Sequence, residues 1–169
     1  MTRAGRTSIA TLVAVAATAL TAAVATASTE DVVRGQGGAQ LTLPDGWAKL
    51  TAAADRGDDP RTLLVVGTDG AKAIDSPCQV SSYRVPADGA VVVVLGWREA
   101  VGGSSFLPLS SLELRRGTFK CYTGRGAVAR ITRRDRDFQV NVLVGDRAEP
   151  GTVSAALDAA RSFVLTPRV

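Results

Sequence analysis

The sequence predicts an α+β domain, in which an antiparallel sheet of about six or seven strands carries one C-terminal helix on a face, after an N-terminal signal peptide. Three observations predict this class. Short alternating or β-branched runs recur between turn signals such as Pro44-Asp45-Gly46. Residues 90–97, "AVVVVLGW", have no polar face, which is typical of a strand that is covered on both sides. From about Gly151 onward, apolar residues recur at helical spacing.

The first 27 residues have the layout of a secretory signal peptide. Arg3 and Arg6 supply a positive start, an uncharged apolar stretch follows, and "ATA" at residues 25–27 is a small-x-small cleavage site. The alternative is a membrane anchor over residues 9–27. We favour cleavage, because a spanning helix needs about 20 strongly apolar residues and much of this stretch is Ala and Thr. The predicted localisation is therefore secreted or extracytoplasmic, and a membrane association is expected only if the leader is uncleaved.

After the leader, the sequence predicts a linker and one domain. Residues 28–40, "STEDVVRGQGGAQ", mix charges with three glycines, which is typical of a flexible linker. We therefore place a single α+β domain at residues 41–169. Its predicted strands cover residues 41–43, 62–66, 90–97, 112–115, 118–123, 127–132 and 138–144, and residues 79–85 also alternate.

The last predicted strand has two different faces. Phe138 and the valines at 140, 142 and 144 share one face, while Gln139 and Asn141 point the other way. The helix that follows has its apolar residues at Val153, Ala156, Leu157, Ala160 and Val164. Pro167 prevents any continuation.

The two cysteines, Cys78 and Cys121, are predicted to form a disulfide. Export places them in an oxidising compartment, where an even number of cysteines indicates a crosslink. The bond would close a loop of 42 intervening residues, which by chain entropy is worth on the order of 3 to 4 kcal/mol.

Positive charge concentrates in the second half of the chain. Residues 111–169 carry 11 Lys or Arg and 6 Asp or Glu, whereas residues 28–110 carry 7 and 10. One candidate site is therefore a basic anion-binding face within residues 115–136, formed by Arg115, Arg116, Lys120, Arg130, Arg133, Arg134 and Arg136. The simpler interpretation is a solvated turn, because residues 133–137 fit a five-residue hairpin loop with charges of both signs.

A second candidate is the loop at residues 98–110. Its apolar side chains Phe106, Leu107 and Leu109 are able to contact a partner. The alternative is that the loop folds back over the sheet and covers it.

The chain contains no histidine, which excludes Ser-His and Cys-His catalytic pairs and histidine-based zinc sites. No other catalytic motif is present, so we predict neither enzymatic activity nor a catalytic, metal or cofactor site. No aromatic residue lies between Tyr122 and Phe138, and because base stacking needs such platforms, a nucleic acid is not the predicted partner.

Two segments carry a resemblance. "LTLPDGW" at residues 41–47 and "FQVNVLVGDRAEPGTVSAALDAARSFVL" at residues 138–165 resemble small exported bacterial domains of the PsbP-like α+β group. In that group a P-x-G-W turn follows the first strand, and a last amphipathic strand leads into a helix with a short apolar tail. The resemblance implies a fold and a non-catalytic accessory or interaction role, and no functional residue is carried over.

The predicted function is a secreted, non-enzymatic accessory or interaction module of a bacterial cell envelope, with an unidentified protein or envelope component as its partner. The alternative is a domain that binds an anion or an envelope polymer through the basic residues of 115–136. Salt separates the two, because binding of a polyanion weakens steeply with ionic strength.

Overall fold

A computed structural model describes five segments of the 169-residue chain: residues 31–52, 59–80, 82–100, 107–119 and 122–167. The predicted signal peptide lies outside these segments. Within them, no helix is both long and apolar enough to cross a membrane.

The described segments contain eleven strands and one α-helix. The strands are β1 (Asp31–Arg34), β2 (Ala39–Leu43), β3 (Ala48–Lys49), β4 (Arg61–Gly67), β5 (Lys72–Ala73), β6 (Tyr83–Arg84), β7 (Ala90–Gly96), β8 (Arg115–Phe119), β9 (Tyr122–Arg133), β10 (Arg136–Val144) and β11 (Val164–Leu165). Helix α1 spans Pro150–Arg161. The α+β class is confirmed.

Six strands form the main sheet, in the order β3-β4-β7-β10-β9-β8, and every neighbouring pair is antiparallel. Strand β7 lies between β4 and β10. Residues 91–95 of that strand are at most 1% exposed. One face of β7 belongs to a first hydrophobic core, and its other face belongs to a second core on the opposite side of the sheet. This confirms that the run without a polar face is covered on both sides.

Helix α1 and the small sheet β1-β2-β11 cover the first face of the main sheet. The first core joins Phe138 and the valines of β10 to Ala156, Ala159 and Ala160 of the helix. The alanines let the helix approach the sheet closely. The predicted helical pattern is confirmed for Val153, Ala156, Leu157 and Ala160, whereas Val164 lies beyond the helix in β11 and is 53% exposed.

The second face is covered by the segment around the β5-β6 hairpin, including Val80 and Tyr83. The alternation along β10 places Gln139 and Asn141 on this face, as expected. Both are nevertheless buried, with 2% and 1% of their surface exposed. They satisfy each other, because Nε2 of Gln139 donates to Oδ1 of Asn141 over 2.7 Å.

The linker prediction for residues 28–40 needs correction over the part that the structure describes. Residues 31–34 form β1, which pairs with β2 in the register Val32↔Thr42, and residues 36–38 form a 3₁₀ turn. The glycines make a tight turn between two strands instead of a spacer. Gly37 and Gly38 have φ angles of 66° and 83°, which glycine adopts without steric cost.

The predicted five-residue hairpin loop at 133–137 is shorter in the structure. Arg133 pairs with Arg136, so that only Arg134 and Asp135 form the turn. Both have positive φ angles, 52° and 58°, as a two-residue turn of type I′ requires. The strand before this turn is also longer than predicted. Residues 122–133 form one strand, β9, where two shorter strands were predicted.

Candidate anion-binding site

Four neighbouring strands of the main sheet each bring an arginine to the same end. Arg61 begins β4, Arg136 begins β10, Arg133 ends β9, and Arg98 follows β7 by two residues. In an antiparallel sheet the start of one strand lies beside the end of the next. With strands about 4.8 Å apart, the row from β4 to β9 is about 14 Å long. Together with Arg134 of the turn, these residues are called the arginine cleft below.

The cleft comprises two adjoining cavities. The first cavity, about 400 Å³, is lined by Gln36, Gly37, Arg61, Leu63, Arg98 and Arg136. The second cavity, about 240 Å³, is lined by Gly37, Arg133, Arg134, Arg136, Phe138, Leu165 and Thr166. The two share Gly37 and Arg136. No described lining residue is acidic, so the guanidinium charges are not neutralised within the walls.

The wall opposite the sheet is the turn between β1 and β2. It lies close to β4: a Cβ atom added at Gly35 would lie only 2.2 Å from the carbonyl oxygen of Leu63. A side chain at residue 35 would push the turn outward. The predicted linker thus supplies one wall of the cleft.

Arg136 stands between the two cavities in a fixed orientation. Its Nε donates to the carbonyl oxygen of Trp97 over 3.0 Å, and its guanidinium carbon lies 5.4 Å from the centroid of the Phe138 ring. Neither Nη atom has an acceptor among the described residues. These two nitrogens remain as donors for a ligand.

Arg61 carries the least satisfied polar atom of the described residues. Its Nε is buried and has no hydrogen-bond partner among them. An unsatisfied buried donor costs about 1–3 kcal/mol, so an acceptor at this position would be favoured.

Arg98 has a weak partner. Its Nε lies 3.9 Å from Oδ1 of Asp59, and the two side chains are 63% and 36% exposed. An exposed pair at this distance contributes little, so that the guanidinium of Arg98 remains able to bind another anion.

The seven basic residues predicted from the sequence as one face do not lie together in the structure. Arg133, Arg134 and Arg136 line the cleft. Arg115 and Arg116 pair with residues 126 and 125 of β9. These are seven and eight positions from Arg133, which is about 23 to 26 Å along a strand.

The remaining predicted basic residues do not reach the cleft or are outside the described segments. Arg130 pairs with Gln139 and therefore points to the second face, where its guanidinium carbon lies 4.9 Å from the Trp97 ring centroid. Lys120 lies outside the described residues. The single basic face expected from the sequence is therefore two separate sets at opposite ends of the sheet.

The far end holds its charges in local contacts. Arg116 forms an exposed ion pair with Asp146 at 3.1 Å, and Arg125 donates to the carbonyl oxygens of Gly145 and Ala148. Burial, and secondly the carboxylate of Asp146, raise the pKa of Tyr122, while Arg125 opposes that shift.

Arg61 and Arg98 are not among the basic residues predicted from the sequence. A signal was present, since Arg61 precedes the buried run "TLLVV" and Arg98 follows "AVVVVLGW". Only the pairing of β4 with β7 places the two residues at one end, and that pairing is not readable from either run alone.

The other predicted site residues have mixed outcomes. Leu107 is 41% exposed and forms an isolated bridge with Arg130, whereas Leu109 packs against the first core. Phe106 lies outside the described residues. Of the predicted contact loop, Leu107 is therefore the exposed apolar residue that the structure describes.

Cys78 is partly buried and packs against the second core, as does Tyr122, the chain neighbour of Cys121. Cys121 itself lies outside the described residues. The disulfide between Cys78 and Cys121 stays a prediction.

Comparisons with protein-family models, with curated proteins and with solved structures gave no significant match. The resemblance to PsbP-like domains stays a prediction.

Proposed function

We propose that this protein is a non-enzymatic binding module that acts outside the cytoplasm and holds an anionic group of its partner in the arginine cleft. The observation that carries the proposal is the row of arginines that four adjacent strands bring to one end of the main sheet. The accessory or interaction role expected from the sequence is retained, and the anionic group specifies what the module recognises.

The electrostatics of the cleft support binding of an anion. Five guanidinium groups line two cavities in which no described residue is acidic. Guanidinium groups bind carboxylate or phosphate oxygens through paired, charge-assisted hydrogen bonds. Arg61 lines the first cavity, and its Nε has no hydrogen-bond partner among the described residues.

The chemistry of the cleft supports binding without catalysis. Its described lining has no carboxylate or thiol, and the whole chain has no histidine, so there is no ordinary general base beside the arginines. Thr166 supplies the hydroxyl of the second cavity, and that hydroxyl donates to the carbonyl oxygen of Gly38 over 3.2 Å. The hydroxyl proton of Thr166 is therefore used in a hydrogen bond within the fold.

Neutralising two arginines of the cleft is expected to weaken polyanion binding. The variant Arg133→Gln/Arg134→Gln removes two exposed charges, and we expect the affinity for a heparin fragment to fall about tenfold at low salt. Calorimetric titration at 50 mM and 200 mM salt measures this, and the difference between variant and wild type should shrink as salt rises.

The matched control is Arg115→Gln/Arg116→Gln, which changes the net charge equally at the far end. We expect it to bind within about twofold of the wild type. Equal losses in both variants would mean that heparin responds to net charge alone, and the cleft would not be the binding site.

A further inference from the structure

We propose that the ligand of the arginine cleft is a chain of linked phosphate groups, which lies across the cleft with one phosphate in each cavity. This inference rests on the proposed function and specifies its ligand. It follows from the division of the cleft, from its length and from its charge.

Each cavity has arginines of its own. Arg61 and Arg98 belong to the first cavity, and Arg133 and Arg134 belong to the second. Arg136 lies in the wall that both share. A ligand with a single anionic group would occupy one cavity and leave the arginines of the other without a counter-charge.

The length of the row favours more than one anionic group. The backbones of the row from β4 to β9 span about 14 Å, at about 4.8 Å per strand, and a guanidinium nitrogen binds a phosphate oxygen at about 2.7–2.9 Å. One phosphate in the first cavity contacts the arginines of that cavity, whereas successive phosphates on one chain contact the arginines of both cavities.

Phosphate suits the cleft better than carboxylate. A carboxylate offers two oxygens to neighbouring arginines, whereas a terminal phosphate offers three. A terminal phosphate monoester carries about −1.5 to −2 charges at pH 7, and each further phosphate of the chain adds negative charge. Two or more linked phosphates therefore match the five guanidinium groups of the cleft.

Arg136 is placed to join the two phosphates. Its Nε is held by the carbonyl oxygen of Trp97 and its guanidinium plane lies near the Phe138 ring. The Nη atoms stay between the cavities, and Nη1 lies 4.0 Å from the position of a Cβ atom at Gly37. A fixed guanidinium loses little freedom on binding, which favours a bridging role.

The test is a calorimetric titration of the full chain at constant ionic strength with orthophosphate, pyrophosphate and tripolyphosphate. We expect tripolyphosphate to bind at least tenfold more tightly than orthophosphate, because binding at the second cavity is intramolecular once the first is occupied. We expect Arg133→Gln/Arg134→Gln to remove most of this gain, and Arg98→Gln, whose side chain is 63% exposed, to do the same from the first cavity. Arg115→Gln/Arg116→Gln should keep it.

The outcomes separate this inference from the proposed function. If the gain survives changes in either cavity while orthophosphate binding still depends on Arg98, the cleft binds one anion and the inference is wrong. If no phosphate binds in a manner that depends on the cleft while the heparin fragment still does, the inference is wrong and the proposed function stands. If neither binds there, both are wrong. A synthetic glycerol-phosphate trimer in a parallel titration identifies the source: tighter binding than tripolyphosphate supports a phosphodiester polymer, and weaker binding supports a polyphosphate.

Discussion

The variant Phe138→Ala is expected to lower the free energy of unfolding by about 3–5 kcal/mol, the usual cost of removing a buried aromatic ring. Phe138 is fully buried, its ring centroid lies 5.7 Å from that of Phe163, and its strand β10 pairs with both β7 and β9. Neighbours on two strands and on the segment after the helix restrict how far the site can collapse.

Urea denaturation followed by circular dichroism measures the change. Val32→Ala is the control, because Val32 is 54% exposed and should cost less than about 0.5 kcal/mol. A loss below 1 kcal/mol for Phe138→Ala would mean that the first core is not packed around this ring. The same variant should also weaken binding at the second cavity, since Phe138 lines it.

Loss of the predicted disulfide is expected to lower the free energy of unfolding by about 3–4 kcal/mol. A crosslink between Cys78 and Cys121 closes a loop of 42 intervening residues, and chain entropy sets this magnitude. The double variant Cys78→Ser/Cys121→Ser measures it without leaving a reactive thiol.

Reduction of the wild-type protein should reproduce the effect of the double variant, and it should leave the variant itself unchanged. Should reduction fail to shift the denaturation midpoint of the wild type, the two cysteines are not crosslinked. Thiol alkylation before and after reduction, read by intact mass, then reports whether both thiols are free.

The sequence predicted those parts of the fold for which one strand or one helix is sufficient evidence. The run at residues 90–97 is hydrophobic on both sides, and a strand with that pattern has few places in a sheet other than the centre. The helix after Gly151 has an apolar stripe of small residues, and the structure places that stripe on the first core. Each pattern lies within one segment of the chain, so it can be interpreted without knowing which other segments pack against it.

The parts of the fold that depend on contacts between distant segments were not predicted from the sequence. Gln139 and Asn141 alternate with valines, as the polar residues of a solvated face do, but both are buried on the side of the sheet that carries the second core. No local pattern predicts that burial. The glycines after Arg34 have the composition of a linker, although a tight turn needs them equally. Composition alone does not distinguish these two uses.

The arginines of the candidate site also depend on pairing between distant strands. Arg133, Arg134 and Arg136 were found because they are adjacent in sequence, and Arg115 and Arg116 were grouped with them for the same reason. The antiparallel pairing instead joins the first three to Arg61 and Arg98. Charge density along a chain is therefore a poor guide to charge density in space when strands reverse direction.

The most direct measurement of anion binding in the arginine cleft is a ¹H–¹⁵N NMR titration of the labelled full chain with pyrophosphate. The predicted result is a set of saturable shifts at the Nε–H group of Arg61 and at the backbone amides of Gly37, Arg98 and Arg134, with Arg115 and Arg116 unchanged. Saturable shifts confined to the far end of the sheet, or no saturable shift at the arginine cleft, would contradict it.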